Sequence, residues 1–386
     1  MILILIKALP RLYLSKQILR NQQQQWGECY KCWEYQKWLN SCVHVAASSC
    51  FSSSYTSMNI NKVLVADAVD QACVDLLKNN LIDVDCKYKL SKEQLIQEIQ
   101  NYDGLIVRSD TKVTAEVIEA AKNLKVIGRA GAGVDNIDVD AATKKNIVVL
   151  NTPGGNAISA CELTCTLITS LARNVVPAAA SLREGRWDRK LYAGHEIHGK
   201  VLGIVGLGRI GREVAIRLQA WGMKTVGYDP IVSAEDAAKF NVEFLELEKI
   251  WPIADYITLH TPLIPETRNM INKKVFNQAK KGLRIVNVAR GGIIDEAALL
   301  EALENGQCGG AALDVYEQEP PTNPTTLKLI QHPKVVATPH LGASTSEAQI
   351  RVAVEVAEQF VALSGKNPKY TNAPGVINPN VLNAKK

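Results

Sequence analysis

The sequence predicts an α/β protein whose strands form parallel sheets, and three observations lead to that class. Short apolar runs alternate with helical patterns from Met58 onward, which is typical of parallel sheets covered by helices on both faces. A chain of 386 residues is long enough for two or three domains. Its composition, with 47% hydrophobic and 22% charged residues, is that of an ordinary globular protein.

The first part of this body contains four candidates for buried strands, with helices between them. Apolar runs predict strands at residues 63–66, 105–107, 126–127 and 148–150. Helical patterns predict helices at residues 69–79, 114–121 and 137–145. Ser91 and Gln94 have the spacing of a capping box, so another helix is expected to begin there. These elements together predict a first parallel sheet.

A second β-α series begins with a long helix, predicted at residues 159–173 and followed by a loop. Its strand candidates are residues 201–205, 224–228, 256–259, 285–288, 311–315 and 335–337. Six strands are enough for a complete dinucleotide-binding domain. A final amphipathic helix is predicted at residues 344–363, and its apolar face is expected to contain Ile350, Val354, Ala357 and Val361.

A glycine-rich turn follows the first strand of this second series. Gly206, Gly208 and Gly211 have the G-x-G-x-x-G spacing, between the strand at 201–205 and a predicted helix at 212–221. Such a turn brings backbone N–H groups and a helix N-terminus to a pyrophosphate. Asp229, at the end of the next strand, can accept hydrogen bonds from both ribose hydroxyls and would repel a 2′-phosphate. The pattern therefore favours NAD over NADP, the alternative being a turn that binds no ligand.

Three charged or titratable residues follow later strands of the same series. Arg290, Glu319 and His340 come after the predicted strands at 285–288, 311–315 and 335–337. Ligands in open α/β sheets bind at the carboxyl ends of the strands, so these side chains are expected to converge. A histidine oriented by a carboxylate can take a hydroxyl proton, and an arginine can bind a carboxylate through two hydrogen bonds. For each residue taken alone, the alternative is a purely structural or solvated side chain.

Several segments together resemble the D-isomer-specific 2-hydroxyacid dehydrogenases. The resemblance extends over residues 60–365 and is strongest at 105–109, 128–136, 151–153, 187–190, 206–211, 287–292, 314–321 and 340–344. It implies that Arg290, Glu319 and His340 are the catalytic residues. It also implies a set of cofactor-binding positions, namely Gly206, Gly208, Arg209, Ile210, Gly211, Asp229, Thr261, Pro262, Ala289, Asp314 and Gly342.

The resemblance further implies a domain organisation that periodicity does not reveal. A Rossmann NAD-binding domain at residues 153–341 is expected to be inserted into a discontinuous, flavodoxin-like substrate domain made of residues 58–152 and 342–386. The active site would then lie in the cleft between the two doubly wound domains. Residues 1–57 are expected to be an extension outside the fold, with an organelle transit peptide as the alternative. A homodimer through the nucleotide domain is also implied.

Within the family, the resemblance implies NAD-dependent oxidation of 3-phospho-D-glycerate to 3-phosphohydroxypyruvate, the first step of the phosphorylated pathway of L-serine biosynthesis. This substrate carries a phosphate and a carboxylate, so cations besides Arg290 are required. The residues expected to bind it are Arg108, Ser109, Arg129, Ala132, Gly133 and Val134. Longer members carry C-terminal regulatory domains, and since this chain ends at Lys386, feedback inhibition by serine is not expected.

Two rival functions remain open at this point. One is another D-2-hydroxyacid dehydrogenase, such as a glyoxylate/hydroxypyruvate reductase or a D-lactate enzyme. The other is an NAD-sensing binding module like the C-terminal-binding-protein co-repressors, which share the fold. The arginines that match a phosphate site favour the phosphoglycerate enzyme over both.

Composition limits the partners and the compartment. The net charge is +5, and much of it lies in residues 1–57, so no nucleic-acid-binding surface is expected on the body. The sequence contains no run of 18 apolar residues, so no membrane-spanning helix is predicted. Four of the nine cysteines lie in residues 1–57 and five are scattered through the body, which is not the dense pattern of a small secreted domain. A reducing compartment is therefore favoured, and the cytoplasm is predicted. Cys29 and Cys32 form only half of a zinc pattern, so no metal is expected, and Cys161 and Cys165 are expected to pack in the core.

Overall fold

Two parallel sheets form the framework of the protein in the computed structural model, which describes residues 57–383. The first sheet has five strands in the order β2-β1-β3-β4-β5, and every neighbouring pair is parallel. This is the flavodoxin-like order predicted for the substrate domain. The strands are β1 Lys62–Val65, β2 Asp83–Cys86, β3 Gly104–Val107, β4 Val126–Arg129 and β5 Val148–Leu150.

The helices of the first sheet follow its strands in β-α alternation. They are α1 Gln71–Asn79, α2 Lys92–Glu98 with a 3₁₀ turn at Ile99–Asn101, α3 Ala115–Ala120 and α4 Val139–Lys144. Helix α2 begins with the capping box predicted at Ser91: Ser91 Oγ accepts the Gln94 N–H, and Gln94 Oε1 accepts the Ser91 N–H at 2.8 Å.

The second sheet has seven parallel strands in the order β12-β11-β10-β9-β6-β7-β8. The strands are β6 Val201–Val205, β7 Lys224–Tyr228, β8 Glu243–Phe244, β9 Tyr256–Leu259, β10 Leu283–Asn287, β11 Cys308–Leu313 and β12 Val335–Ala337. The chain reverses its direction of sheet growth between β6 and β9, and such a switch point is where doubly wound sheets bind ligands. The two predicted parallel-sheet α/β domains are therefore present.

The second sheet is covered by helices on both faces. They are α5 Ala157–Ala172, α6 Val175–Arg183, α7 Arg209–Ala220, α8 Ala234–Ala238, α9 Leu247–Ile250, α10 Lys273–Gln278, α11 Glu296–Glu304 and α12 Pro324–Gln331. The last helices of the described residues are the long α13 Ser346–Ser364 and the short α14 Asn380–Asn383. Within residues 57–383, no helix combines the length and the apolarity needed to cross a membrane.

The last long helix returns to the first sheet. Phe360 of α13 packs against Gly104 of β3 and Gly128 of β4, and beyond it Leu150 pairs with Val376 in an isolated bridge. Asn378 continues this contact, since its side chain accepts the Val149 N–H at 2.8 Å. The C-terminal segment thus packs with the N-terminal sheet, although the division at residues 152 and 342 stays a prediction.

Four sequence-based expectations differ from the structure. The edge strands β2 and β8 were not predicted, because their polar sequences lack the apolar run of a central strand. Residues after 173 were expected to be a loop but form α6, which tolerates Pro177 in its first turn because the N–H there needs no partner. On α13 the expected apolar face is wrong at Ile350, which is 46% exposed. The buried stripe there includes Val352, Val356 and Phe360.

We expect Gly128→Ala to destabilise the protein, because a Cβ on Gly128 would lie 2.5 Å from Phe360 Cε2 and 2.7 Å from Val356 Cγ2. Overpacking of this kind costs about 1–3 kcal/mol in the free energy of unfolding. Urea denaturation followed by circular dichroism measures the loss. Gly154→Ala is the matched control, since no described residue other than its two chain neighbours has an atom within 4 Å of its added Cβ. Equal stability of the two variants would contradict the packing of α13 on the first sheet.

Candidate active site

The glycine turn between β6 and α7 has the backbone that its sequence predicts. Gly206 has φ +98°, a conformation that side chains rarely adopt, and a Cβ there would lie 2.5 Å from the His260 carbonyl oxygen. Gly211 is buried on the first turn of α7, and its missing side chain lets the helix pack onto the strand. The turn therefore requires glycine at both positions for steric reasons.

The N-terminus of α7 is open to a ligand. Its N-cap residue is Gly208, so the cap offers no side chain to the first free N–H groups, which belong to Arg209, Ile210 and Gly211. Apart from its two chain neighbours, no residue among 57–383 has an atom within 4 Å of a Cβ built on Gly208. The Arg209 guanidinium donates to the Pro153 carbonyl at 3.3 Å. An uncapped helix of 12 residues with open space before it fits a pyrophosphate.

Asp229 follows β7 and joins two parts of this site. Its Oδ2 accepts the Leu207 N–H of the glycine turn at 2.8 Å, and its Oδ1 accepts the N–H groups of Ile231 and Val232 at 2.9 and 3.2 Å. A carboxylate has about four lone-pair positions, so the group retains the capacity to accept from a ribose. The carboxylate also places fixed negative charge beside the turn.

The residues predicted after β9 and β10 lie on the same side of the sheet. Thr261 and Pro262 follow His260 just after β9, and a Cβ on Gly206 would lie 3.2 Å from the Thr261 methyl group. The Thr261 hydroxyl is buried and has no hydrogen-bond partner among residues 57–383, which fits a group that is satisfied by a bound cofactor. Ala289 follows β10, and its N–H is held by Asn287 Oδ1 at 3.0 Å.

Asp314 is a buried carboxylate at the end of β11 that organises the loop after β12. It accepts the Thr338 hydroxyl at 2.6 Å and the N–H groups of Leu341 and Gly342 at 2.7 and 2.8 Å. Burial raises its pKa above the ordinary value, although these hydrogen bonds act in the opposite direction. The loop that contains His340 is thereby anchored to the sheet on both sides of the histidine.

His340 and Glu319 form a hydrogen-bonded pair. The distance from His340 Nδ1 to Glu319 Oε2 is 2.6 Å, which leaves Nε2 for another partner. Burial acts to raise the pKa of Glu319, but the hydrogen bonds from His340 and from the Tyr316 N–H bring it below its ordinary value. His340 has φ +54°, a strained backbone for a histidine, and its N–H is held by the Asp314 carbonyl at 2.9 Å.

Arg290 reaches from the second sheet to a loop of the first domain. Its Nε donates to Asp135 Oδ2 at 3.0 Å, and its Nη1 donates to the Ala289 carbonyl at 2.6 Å. Asn287 holds the backbone, since its amide donates to the Arg290 carbonyl at 2.8 Å. Asp135 was not singled out from the sequence, although it lies in the segment 128–136 that carried the resemblance. Its importance depends on a partner 155 residues away.

Two of the predicted substrate residues lie beside this ion pair. Arg129 hydrogen-bonds to the Gly133 carbonyl, and a Cβ on Gly133 would lie 2.9 Å from Arg129 Nη1 and 2.6 Å from Asp135 Oδ2. Burial lowers the pKa of the Arg129 guanidinium, and so do the positive charges of Arg290 and Arg108. Three guanidinium groups therefore lie in one region.

The other residues predicted to bind substrate are Arg108, Ser109 and the loop at 132–134. Arg108 is fixed by its backbone, since its N–H donates to Asp67 Oδ2 at 2.6 Å, and its guanidinium lies 3.4 Å from the Ala68 carbonyl. Ser109 turns to Asp110, with 3.3 Å between the hydroxyl and the carboxylate. Ala132, Gly133 and Val134 form the partly buried loop next to Arg129. Asp67, which also accepts the Thr111 hydroxyl at 2.6 Å, is a loop anchor that the sequence did not reveal.

The described cysteines and possible metal ligands were also compared with the predictions. Cys161 belongs to the core of the second domain and Cys165 packs against it, as predicted. Among residues 57–383, no group of three or more His, Cys, Asp or Glu side chains is arranged to hold a metal ion. Cys29 and Cys32 lie outside the described residues.

Comparisons with known proteins agree on one family. Residues 165–342 match the domain family described as "D-isomer specific 2-hydroxyacid dehydrogenase, NAD binding domain". The chain is 55% identical over 324 residues to D-3-phosphoglycerate dehydrogenase of Rattus norvegicus, covering 84% of this chain and 60% of that relative. It is 48% identical over 319 residues to the protein of the same name from Archaeoglobus fulgidus, covering 82% of this chain and 60% of that relative. The chain thus spans about 60% of the length of these relatives.

Solved structures match nearly all of the described fold. The TT0316 protein of Thermus thermophilus is 34% identical with a TM-score of 0.72, and the match covers 82% of this chain and 99% of that one. A glyoxylate reductase from Paecilomyes thermophila is 29% identical with a TM-score of 0.74, over 84% of this chain and 100% of that one. Each match covers nearly the whole of the solved chain.

We expect Glu319→Gln to have a lower melting temperature than the parent protein near pH 6. The difference between the two melting temperatures is expected to disappear in acid. The pKa of Glu319 is lowered in the fold, so its carboxylate stabilises the protein above its unfolded pKa of about 4.3. That contribution disappears as the pH falls through the lower, folded value. Thermal unfolding of both proteins between pH 3 and pH 7 measures the difference.

Glu317→Gln is the matched control for this experiment. The pKa of Glu317 is raised by burial and by the charges of Glu296 and Asp295, so its ionised form destabilises the fold. Its substitution is therefore expected to be neutral or stabilising near pH 6. A pH-independent deficit in Glu319→Gln would contradict the ionic character of the His340–Glu319 pair.

Proposed function

Because this chain belongs to the D-isomer-specific 2-hydroxyacid dehydrogenases, we propose that it uses NAD to oxidise 3-phospho-D-glycerate to 3-phosphohydroxypyruvate, the first step of the phosphorylated pathway of L-serine biosynthesis. The observation that carries the substrate is the grouping of Arg290, Arg129 and Arg108 near the His340–Glu319 pair. The name of the relatives at 46–55% identity points to the same reaction.

NAD is the cofactor of the matched domain, and the residues present fit it. The uncapped N-terminus of α7 would bind the pyrophosphate, Asp229 the adenosine ribose, and the unpartnered Thr261 hydroxyl another polar group of the dinucleotide. When bound, NAD supplies the nicotinamide ring that accepts a hydride from the substrate carbon. Pro262, Ala289, Asp314 and Gly342 would shape the space around that ring.

The proton chemistry belongs to His340. Its Nδ1 is held by Glu319, so Nε2 is the nitrogen that would take the proton of the substrate hydroxyl. The imidazolium that forms is stabilised by the carboxylate 2.6 Å away. In the reverse direction the same nitrogen returns the proton to the carbonyl oxygen.

Arg290 would hold the carboxylate next to the reacting carbon. In the structure Asp135 occupies its Nε at 3.0 Å, so a substrate carboxylate would meet a guanidinium that is already oriented across the cleft. A bidentate pair with the remaining N–H groups fixes the reacting carbon and polarises the carbonyl. Arg108 and Arg129 would bind the phosphate, and the backbone of residues 132–134 would contribute N–H groups.

A second candidate is the reduction of a smaller 2-keto acid. The similar solved structures include the glyoxylate reductase and D-lactate dehydrogenases, whose names refer to such substrates. Arg108 and Arg129 are not needed for those substrates, so the phosphate distinguishes the two functions. The third hypothesis is a co-repressor-like binding module. Such a module does not need a histidine that Glu319 orients for proton transfer.

The assembly we propose is a homodimer through the second domain, in the cytoplasm, without nucleic acid as a partner. Large apolar side chains are exposed on α6 and just after it, which is the kind of surface that a second copy covers. They are Val175, Val176, Leu182, Trp187 and Leu191, with Trp187 75% exposed. Sedimentation of the full chain tests this assembly.

The deciding experiment is NAD reduction by the purified full chain with 3-phosphoglycerate, glycerate, D-lactate and 2-hydroxyglutarate side by side. The absorbance of the reduced cofactor follows the reaction, and hydrazine traps the keto product. Turnover with 3-phosphoglycerate well above the others is expected. Turnover mainly with glycerate or D-lactate would replace the proposal by the second candidate, and a folded protein that binds NAD without turnover would favour the binding module.

We expect His340→Asn to lower kcat by about 10²–10⁴-fold, the usual contribution of a general base. Asparagine tolerates the left-handed backbone of this position, so the loop is expected to keep its conformation. For the parent protein, the oxidation rate is expected to rise with pH, because the base must be neutral. His332→Gln is the control, and an equal loss in both variants would contradict the assignment.

The phosphate site is tested with Arg108→Gln and Arg129→Gln. Each is expected to raise KM for 3-phosphoglycerate by about 10- to 100-fold, the value of a hydrogen bond to a charged group. KM for a substrate without phosphate, such as glycerate, is expected to change little. Lys112→Gln removes a cation of the same loop and is the control. Equal increases for both substrates would exclude a phosphate role.

Cofactor choice is tested with Asp229→Ser. Removing the carboxylate removes its repulsion of a 2′-phosphate, and kcat/KM with NADP relative to NAD is expected to rise by about tenfold or more. Serine keeps an oxygen that can accept the Leu207 N–H. Glu235→Ser, which removes an exposed charge from α8, is expected to leave the ratio unchanged. An unchanged ratio in Asp229→Ser would remove Asp229 from cofactor selection.

A further inference from the structure

A polar cavity of about 140 Å³ opens at the amino-terminal edge of the second sheet. Its polar lining includes Ser170, Asn174, His195, Arg284 and Lys334. Arg284 lies at the start of β10, whereas Asn287 and Arg290 lie at and beyond the end of the same strand. The cavity is therefore on the opposite edge of the sheet from the glycine turn and the candidate active site.

Arg284 and His195 are in direct contact at this cavity. Arg284 Nη2 lies 3.3 Å from His195 Nδ1, and His195 Nε2 lies 2.7 Å from the Tyr256 hydroxyl. A guanidinium can only donate, so Nδ1 accepts and the imidazole is neutral with its hydrogen on Nε2. Arg284 also donates to the Gly282 carbonyl at 3.3 Å and lies over the Tyr256 ring, 5.7 Å from its centroid.

The charge around this pair is mainly positive. Among residues 57–383, no carboxylate oxygen lies within 4 Å of the Arg284 guanidinium. Lys334 contributes to the cavity wall and Lys200 precedes β6 close to His195. The nearby carboxylate is Asp255, and it is paired with Lys280 at 2.7 Å and accepts the Val201 N–H at 2.9 Å. A half-buried guanidinium that has no carboxylate partner and lies near other cations is stabilised when an anion binds to it.

We propose that this cavity binds a small tetrahedral oxyanion of the phosphate or sulfate type, held between the Arg284 guanidinium and the His195 imidazole. The anion would replace the Arg284–His195 hydrogen bond by two bonds to its own oxygens. For this, His195 Nδ1 takes up one proton from solvent and becomes a donor. The Ser170 hydroxyl and the Asn174 amide, which line the same cavity, can donate to the remaining oxygens.

Anion binding at this site is coupled to protonation of His195. Burial lowers the pKa of His195, and the positive charges of Arg284 and Lys200 lower it further, whereas Asp255 acts in the opposite direction. Tyr256 is the other titratable group in contact, and burial raises its pKa to about 12, so it stays neutral across the working range. A bound dianion offsets the positive charges of Arg284 and Lys200, so His195 binds a proton at Nδ1 more readily. Affinity therefore increases as the pH falls.

The test is histidine NMR on the full chain labelled at the imidazole carbons, with the His195 signal assigned from His195→Gln. The pH is varied in sodium sulfate and in sodium chloride of equal ionic strength, because sulfate keeps its charge over this range. The midpoint of the His195 titration is expected to rise by at least about half a pH unit in sulfate. A rise of about one unit corresponds to a tenfold change in affinity by linkage.

Arg284→Gln is expected to abolish the sulfate-dependent rise, and Arg284→Lys, which keeps the charge, to retain part of it. Lys224→Gln removes an exposed cation at the same edge of the sheet and is the matched control, with the full rise expected. Because Arg284 is far from the candidate active site along β10, turnover of the Arg284 variants is expected to stay unchanged. This result is independent of which substrate the enzyme oxidises.

Three outcomes would overturn the proposal. The first is an equal His195 midpoint in sulfate and chloride. The second is a sulfate effect that persists in Arg284→Gln, which would place the anion elsewhere. The third is a His195 midpoint that is already high in chloride and falls when the protein is diluted to monomers. This result would mean that a carboxylate from a second copy occupies the cavity in the oligomer. Selenate soaking of crystals gives an independent readout, with an anomalous peak expected beside Arg284.

Discussion

The buried carboxylate of Asp314 is the interaction on which the geometry of the candidate active site depends. It ends β11 and accepts three hydrogen bonds from the segment after β12, from Thr338, Leu341 and Gly342. These bonds hold His340 in a left-handed backbone that it would not adopt alone, and in that conformation its ring meets Glu319. Burial of this carboxylate also raises its pKa, because the ionised form is less stable away from water. The hydrogen bonds that position the loop after β12 offset part of this cost.

The cleft is defined by charges that come from two domains. Arg290 belongs to the loop after β10, whereas Asp135 and Arg129 belong to the first domain, and the ion pair between Arg290 and Asp135 crosses between them. Burial and the neighbouring guanidinium groups lower the pKa of Arg129, which indicates that the region has an excess of positive potential. An anionic ligand bound in this region would reduce the repulsion among the guanidinium groups.

Much of the fold could be predicted from the sequence because buried parallel strands are nearly continuous apolar runs. β5, β6, β7, β9 and β12 begin and end where those runs do. The edge strands β2 and β8 were not predicted because half of their residues are polar and neither contains an apolar run, and α6 was not predicted because Pro177 obscures its start. The buried face of α13 was misjudged at Ile350, since the face is set by where Gly104 and Gly128 admit Phe360 rather than by the helix itself.

The sequence by itself determined the glycine turn, the acid after β7 and the candidate catalytic set Arg290, Glu319 and His340, because each depends on local spacing or on a strand that ends just before it. The partners of these residues were decided by the tertiary structure. Asp135 meets Arg290 across 155 residues, and His195 meets Arg284 across 89 residues. Such contacts form only when the fold packs distant segments side by side, so the sequence around each residue carries no local signal for its partner.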